Sequence, residues 1–230
     1  MTAKTLFVTG TDTGVGKTLA ACALLRNLRA QGKKVCGFKP VASGCENGKN
    51  ADALALMQAT DCTEPYERIN PVALPEAIAP HLAAAHAHTA ISTDALRAAH
   101  DALVNRYDWI IAEGAGGWLV PYGDTWTQAE WVAEMEWPVI LVVGLRLGCL
   151  NHALLTVESI RHRTGFAGWI ANVLPPQMAA CEENIETLRQ RISAPLLGII
   201  PEHAGESGAR DALDLKSLLK PPPAPAVLEP

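Results

Sequence analysis

The sequence predicts an α/β fold of one domain, a mostly parallel β-sheet with helices on both faces. Short β-rich runs alternate with longer segments whose apolar residues recur at helical spacing. The β-rich runs are apolar nearly throughout instead of at every second position, which is the pattern of strands covered on both sides. At 230 residues and 49% hydrophobic content, the chain has ample material for one large core.

The first expected strand, 5–9, runs into a glycine-rich turn and then into an expected helix at 17–31, with Leu24, Leu25 and Leu28 on its apolar face. A second strand, 34–39, is followed by a helix at 51–60. A helix at 93–106 leads to a strand at 109–112, and a helix at 127–136 leads to a strand at 139–143. Helices at 152–163 and 180–191 flank a strand at 168–172, and a strand at 196–200 completes the series. Residues 70–90, with three prolines and many alanines, read as a loop with a short helical turn, placed to form a lid. Residues 1–220 are expected to make up the domain. The tail 221–230 holds five prolines and is expected to lie outside it, disordered or extended.

A net charge of −5 gives no electrostatic reason to expect nucleic acid or an anionic membrane as partner. No window supplies the roughly 20 apolar residues of a membrane span, and the first apolar run is too short for a signal-peptide core. Six cysteines lie far apart without a Cys-x-x-Cys pair, the pattern of reduced thiols in a cytoplasm.

Chemistry enters at Gly10-Thr11-Asp12-Thr13-Gly14-Val15-Gly16-Lys17-Thr18, between the first strand and the first helix. Glycines let successive backbone N–H groups curl round phosphate oxygens, and the helix start adds its partial positive charge. Lys17 is placed to reach the terminal phosphates, and Thr18 offers a hydroxyl to Mg²⁺. The usual spacing has glycine at position 11, where this chain has Thr11; the match is to a variant with Gly10 one residue earlier. Strand, Gly16-Lys17-Thr18 and helix in this order identify a P-loop.

Phosphoryl transfer needs cations on the developing charge and carboxylates on the metal. Glu113 ends a strand and precedes Gly114-Ala115-Gly116-Gly117, at the carboxyl edge where open α/β sheets bind ligands. For Asp52, at the opening of a helix, metal binding competes with simple complementarity to the helix dipole. For Lys39, at the end of the second strand, neutralising a transferring phosphoryl group competes with an ordinary solvated lysine. The segment 144–152 is placed to receive a carboxylate on the amides of a helix starting near Asn151, or Asn151 simply caps that helix.

These motifs, with Lys39-Pro40-Val41-Ala42-Ser43-Gly44, Asp52-Ala53-Leu54, Pro80-His81-Leu82-Ala83-Ala84 and Leu147-Gly148-Cys149-Leu150-Asn151-His152, resemble in their order the dethiobiotin synthetases over residues 5–203. The resemblance implies an ATP- and Mg²⁺-dependent cyclo-ligase that converts 7,8-diaminononanoate and CO₂ to dethiobiotin, ADP and phosphate through a carbamate and a carbamic–phosphoric anhydride. It implies that Lys17 and Lys39 are catalytic, Lys17 on the β- and γ-phosphates and Lys39 on carbamate and phosphoryl. Thr18, Asp52 and Glu113 would bind the metal. Thr13, Gly14, Val15 and Gly16, with Gly114, Ala115 and Gly116, would line the nucleotide. Asn172 and Val173, with Pro201, Glu202 and His203, would surround adenine. Thr13 and Ser43 would touch the substrate. The resemblance further implies a homodimer in which Leu150 and Asn151 receive the carboxylate of the substrate bound to the partner. Gly14 departs from the acidic residue common in the family at that place, which puts one substrate hydrogen bond in doubt, and little resemblance extends beyond Ala204.

Two other P-loop classes compete. Amidoligases of the cobyrinic acid diamide type need a glutamine-hydrolysing domain for which the chain is too short. Partitioning or cell-division ATPases carry a lysine where this chain has Asp12, and a C-terminal amphipathic helix where it has prolines. His81, His86 and His88 lack acidic or cysteine neighbours in sequence, which argues against zinc. Tryptophans such as Trp118, Trp126 and Trp131 are expected in core or dimer packing ahead of an aromatic platform.

Overall fold

The computed structural model describes residues 3–219, so the Pro-rich tail lies outside the described residues. The chain runs β1 (Lys4–Gly10), α1 (Lys17–Ala30), β2 (Val35–Phe38), β3 (Val41–Ala42), α2 (Ala51–Thr60), α3 (Tyr66–Ile69), β4 (Val72–Ala73), α4 (Pro80–His86) and α5 (Thr93–Val104). It continues through β5 (Trp109–Glu113), α6 (Gln128–Glu134), β6 (Val139–Leu145), α7 (Cys149–Arg161), β7 (Phe166–Val173), α8 (Cys181–Arg191), β8 (Leu196–Ile200), α9 (Gly205–Asp211) and α10 (Lys216–Leu219).

All six expected strands form one sheet in the order β2-β5-β1-β6-β7-β8, and every pairing in it is parallel. β1 sits inside the sheet with β5 on one side and β6 on the other, so their carboxyl ends meet at one edge. β1, β5 and β6 are buried almost throughout, which explains their unbroken apolar runs.

Alternate residues of each strand feed two cores. Leu6 and Val8 of β1, with Ile111 and Ile140 of its neighbours, pack against α1, α2 and α9. On the opposite face Phe7, Ala112, Leu141 and Trp169 pack with residues of α5, α6, α7 and α8. Trp137 lies at the centre of this second core, its ring 4.9 Å from Trp131, 4.6 Å from His100 and 6.3 Å from Phe7 between centroids. The tryptophans therefore serve packing: Trp118 and Trp131 are buried, and Trp126 meets Tyr122 edge-on.

Residues 70–90 are more ordered in form than a loop. They contain β4, which pairs with β3 in a second, two-stranded sheet, and α4, which begins with Pro80 at its first position. Leu74 N–H donates to the Ala42 carbonyl and Gly44 N–H to the Glu76 carbonyl, fixing this segment beside the end of β2. The helix after β6 starts at Cys149, two residues before the expected Asn151, and its cap is Gly148 at φ 97°. Ordinary capping by Asn151 is thereby excluded. His86 has an acidic neighbour that sequence spacing did not reveal, its Nδ1 lying 3.0 Å from Glu76 Oε2 at the surface.

Removing a large side chain from the centre of a close-packed cluster loses its transfer free energy and leaves a cavity. Trp137→Ala is expected to cost about 3–5 kcal/mol, read from urea denaturation. A loss below about 1 kcal/mol would displace Trp137 from the centre of the core.

Candidate active site

The chain leaves β1 at Gly10 and turns through residues 11–16 into α1. Gly16 caps α1 at φ 90°, and a Cβ there would lie 2.2 Å from Asn172 Nδ2. Only glycine meets both demands. Asn172, near the end of β7, donates from Nδ2 to the Val15 carbonyl at 2.9 Å and so holds the loop from behind. No side chain caps α1, which leaves its first amides and the positive end of its dipole at the sheet edge.

Two buried lysines stand at that edge. Lys17 Nζ donates to the Asp12 carbonyl at 2.9 Å. Burial, and next the charge of Lys39, lower its pKa to about 8. Lys39, 3% exposed, donates from Nζ to Glu113 Oε1 at 2.7 Å, Asp52 Oδ2 at 2.8 Å and the Gly114 carbonyl at 3.3 Å. Burial pulls the Lys39 pKa down, but the two carboxylates together outweigh it and hold the ammonium above the ordinary lysine value. Burial likewise pushes Asp52 up, and the neighbouring Lys39 reverses this and keeps its carboxyl below the usual range. These contacts exclude the reading of Lys39 as a solvated strand-end lysine.

Asp52 is placed by a helix cap. Asn50 Oδ1 accepts from the Asp52 N–H at 3.0 Å and the Ala53 N–H at 3.4 Å, while Asn50 Nδ2 donates to the Ser43 carbonyl at 3.3 Å. Lys39 is held through its own carbonyl, which accepts from Asn70 Nδ2 at 2.7 Å. Glu113 Oε1 also accepts from the Thr18 hydroxyl at 2.8 Å, but Glu113 Oε2 is buried with no partner. An unpaired carboxylate oxygen beside a threonine hydroxyl suits a hard divalent cation. Among the described residues no group of three His, Cys, Asp or Glu gathers to hold a metal. Magnesium bound together with nucleotide phosphates takes only one or two protein carboxylates, so Thr18, Asp52 and Glu113 fit that mode.

A cavity of about 850 Å³ opens over these groups. Thr13, Gly14, Gly16, Lys17 and Thr18 line its floor, and Lys39, Asp52 and Glu113 one side. Ser43, whose buried hydroxyl has no partner, together with Ala115 and Gly116 extends the lining. Ala77, Ile78, Ala79 and Pro80, from the segment expected to be a loop, add an apolar stretch to the lining. Val15 and Gly114 stand behind this surface, Val15 being fully buried. Val173 ends β7, and Pro201, Glu202 and His203 follow β8, at the same edge without lining the cavity, and Leu150 and Asn151 sit at the start of α7 outside it. Asp12 was missed as a working residue: it receives Lys17 on its carbonyl, and its carboxylate pairs with Arg146. Asn50 directly before a helical pattern was a cap signal readable in the sequence.

Comparison with known proteins places the chain in a family. The family model described as an AAA domain matches residues 4–208. The ATP-dependent dethiobiotin synthetase BioD of Nitrosospira multiformis is 49% identical over 217 residues, covering 94% of each chain. The enzyme of the same name from Cellvibrio japonicus is 47% identical over 226 residues, covering 95% of this chain and 99% of the relative. Among solved structures, the septum site-determining protein MinD from Pyrococcus horikoshii, complexed with Mg-ADP, superposes with a TM-score of 0.53 over 93% of this chain and 87% of its own, at 18% identity. That likeness establishes the fold alone and leaves the cell-division ATPases as distant relatives. Identity near one half, sustained over almost the whole length of both chains, is of another order, and the chain belongs to the ATP-dependent dethiobiotin synthetase family.

Proposed function

We propose that this chain carboxylates 7,8-diaminononanoate with CO₂ and closes the ureido ring of dethiobiotin, converting ATP to ADP and phosphate. The observation that carries the reading is the buried Lys39 between Glu113 and Asp52, in a cavity it lines together with Lys17. The same cavity is also lined by Ala77, Ile78, Ala79 and Pro80, apolar groups suited to an aliphatic chain.

One substrate amine adds to CO₂ and loses a proton, giving a carbamate. A carbamate oxygen then attacks the γ-phosphorus, and the bond to the β-phosphate oxygen breaks to release ADP. The second amine attacks the carbamoyl carbon of the mixed anhydride, loses a proton and expels phosphate. Lys17 leaves the Asp12 carbonyl for the β- and γ-phosphates, with the amides of residues 13–18 around them. Lys39 stabilises carbamate and transferring phosphoryl, where preorganised positive charge in a dry site acts most strongly. Thr18, Asp52 and Glu113 hold Mg²⁺, which neutralises phosphate charge when bound. Gly114, Ala115 and Gly116 border the phosphates, Thr13 and Ser43 meet the substrate, and Asn172 and Val173 with Pro201, Glu202 and His203 surround the purine.

The working unit is a homodimer, with Leu150 and Asn151 receiving the substrate carboxylate across the interface. Supporting this, α7 has no side-chain cap, and Leu147 before it and Leu155 within it are 94% and 59% exposed. Light scattering that gave a monomer at working concentration would remove this part. The six unpaired cysteines suit a reducing cytoplasm.

Phosphate release that requires both the diamine and bicarbonate is the expected result of a turnover assay, and diamine-independent hydrolysis at the same rate would refute the reading. Lys17→Ala is expected to abolish turnover. Lys39→Ala is expected to lower kcat by about 10²–10³-fold with ATP affinity changed only a few-fold, because it acts on charge that develops during transfer; an unchanged kcat removes it from the mechanism.

The lowered Lys17 pKa supplies a pH test. The empty fold favours neutral Lys17, so its contribution to stability rises with pH from about 8 to the ordinary lysine value of 10.5. Nucleotide phosphates favour the charged form and raise that pKa, so binding takes up protons above pH 8 and affinity falls as pH rises. Titration calorimetry at roughly pH 8.5 in buffers of different ionisation enthalpy is expected to register this uptake. Binding without proton uptake there would separate Lys17 from the phosphates.

A further inference from the structure

We infer that Gln128 is a positioning residue for the reaction, gripping the glycine turn that follows Glu113 and so setting where the metal carboxylate and the phosphate loop stand relative to each other. This rests on the assignment of Glu113 to the metal made above.

Gln128 is the first residue of α6 and is fully buried. Its side chain uses both ends. Oε1 accepts from the Ala115 N–H at 2.8 Å and from the Tyr122 hydroxyl at 2.7 Å. Nε2 donates to the Gly117 carbonyl at 2.8 Å and to the Trp118 carbonyl at 3.5 Å. One amide group thus ties together both ends of the turn 114–117, whose sequence offers no side chain of its own to hold it. The Gln128 N–H donates in turn to the Val120 carbonyl at 2.8 Å, closing the connection from turn to helix.

The turn touches the machinery on both sides. At its start, the Gly114 carbonyl and Glu113 Oε1 hold Lys39. A Cβ on Gly114 would lie 2.5 Å from Gln128 Oε1, so the grip is as close as the backbone permits. At its other side, a Cβ built on Gly117 would lie 3.7 Å from the Gly10 carbonyl oxygen, and one on Gly116 would lie 3.7 Å from Thr13 Oγ1. The turn therefore lies against the phosphate loop itself. The Ala115 N–H is already engaged by Gln128, which leaves that residue to border the phosphates by shape and not by donation.

The start of α6 carries a capping box: the Thr127 hydroxyl accepts from the Glu130 N–H, and the Glu130 carboxylate accepts from the Thr127 N–H at 2.6 Å. These hydrogen bonds stay within α6 and involve neither the Gln128 side chain nor the turn, which separates helix stability from positioning. Partners behind a metal ligand orient it and typically matter about 10–100-fold in metal affinity or activity.

The test compares the full-length protein with Gln128→Leu and Gln128→Glu, and with Thr127→Ala as a variant that weakens α6 without touching the turn. Each is measured for melting temperature, kcat and the half-maximal Mg²⁺ concentration, the last both from turnover and from titration calorimetry of Mg²⁺ into the protein with ADP. Gln128→Leu is expected to raise the half-maximal Mg²⁺ concentration at least about tenfold and to lower kcat about 10–100-fold. Gln128→Glu keeps the acceptor for Ala115 and Tyr122 but loses the donor to Gly117, and is expected to fall between Leu and the parent. Thr127→Ala is expected to lower the melting temperature with Mg²⁺ dependence unchanged. A folded Gln128→Leu enzyme with parental kcat and Mg²⁺ dependence overturns the inference, and if that variant does not fold, the same result for Gln128→Glu does so. If the parent itself shows no diamine-dependent turnover, the functional reading fails first, and that outcome is distinct from any change confined to the variants.

Discussion

Everything at the sheet edge depends on the buried ion pair of Lys39 with Glu113. Neither charge reaches water, so each tolerates burial only because the other lies within hydrogen-bond distance. Such a pair adds little net stability, since desolvation offsets most of the attraction. Its value is positional: an ammonium fixed by three oxygens, with one carboxylate oxygen left unpaired beside it, is an electrostatic arrangement made before any ligand arrives. The surrounding structure serves this arrangement. β2 and β5 run side by side and bring the two residues together, α2 brings Asp52, and Asn70 holds the Lys39 backbone.

The fold was legible where burial left its mark along the chain. Strands inside the sheet are covered on both faces, so their apolar runs are unbroken and their location could be read directly. The two-residue strands β3 and β4 carry no period to read, and short helices such as α3 and α4 fall below the length at which a helical pattern accumulates. The start of α7 was misjudged because its cap is a glycine in a left-handed conformation, whereas Asn151 has the composition of a cap without its position.

The candidate site was legible in part. The phosphate loop announces itself because its chemistry is contiguous in sequence. Lys39 and Asp52 had ordinary readings of equal standing, and what bears on the choice is their meeting in space beside Glu113, which spacing along the chain does not carry. Gln128 was invisible for the same reason: its four partners become a set only when the turn folds back over α6. The apolar stretch of the lining was hidden by composition, since alanine and proline in a row read as a connector.

That stretch has a further consequence. Residues 77–80 follow a segment tied to residues 40–45 by the β3–β4 pairing and by backbone hydrogen bonds, and they lead into α4, whose Ala83 and Ala84 are buried. A surface anchored at both ends keeps its contour whether or not anything rests on it. The conformational entropy of ordering it is then charged to folding and not to each binding event. Whatever lies against it meets a contour set by folding, so contact there begins from existing shape and not from reordering.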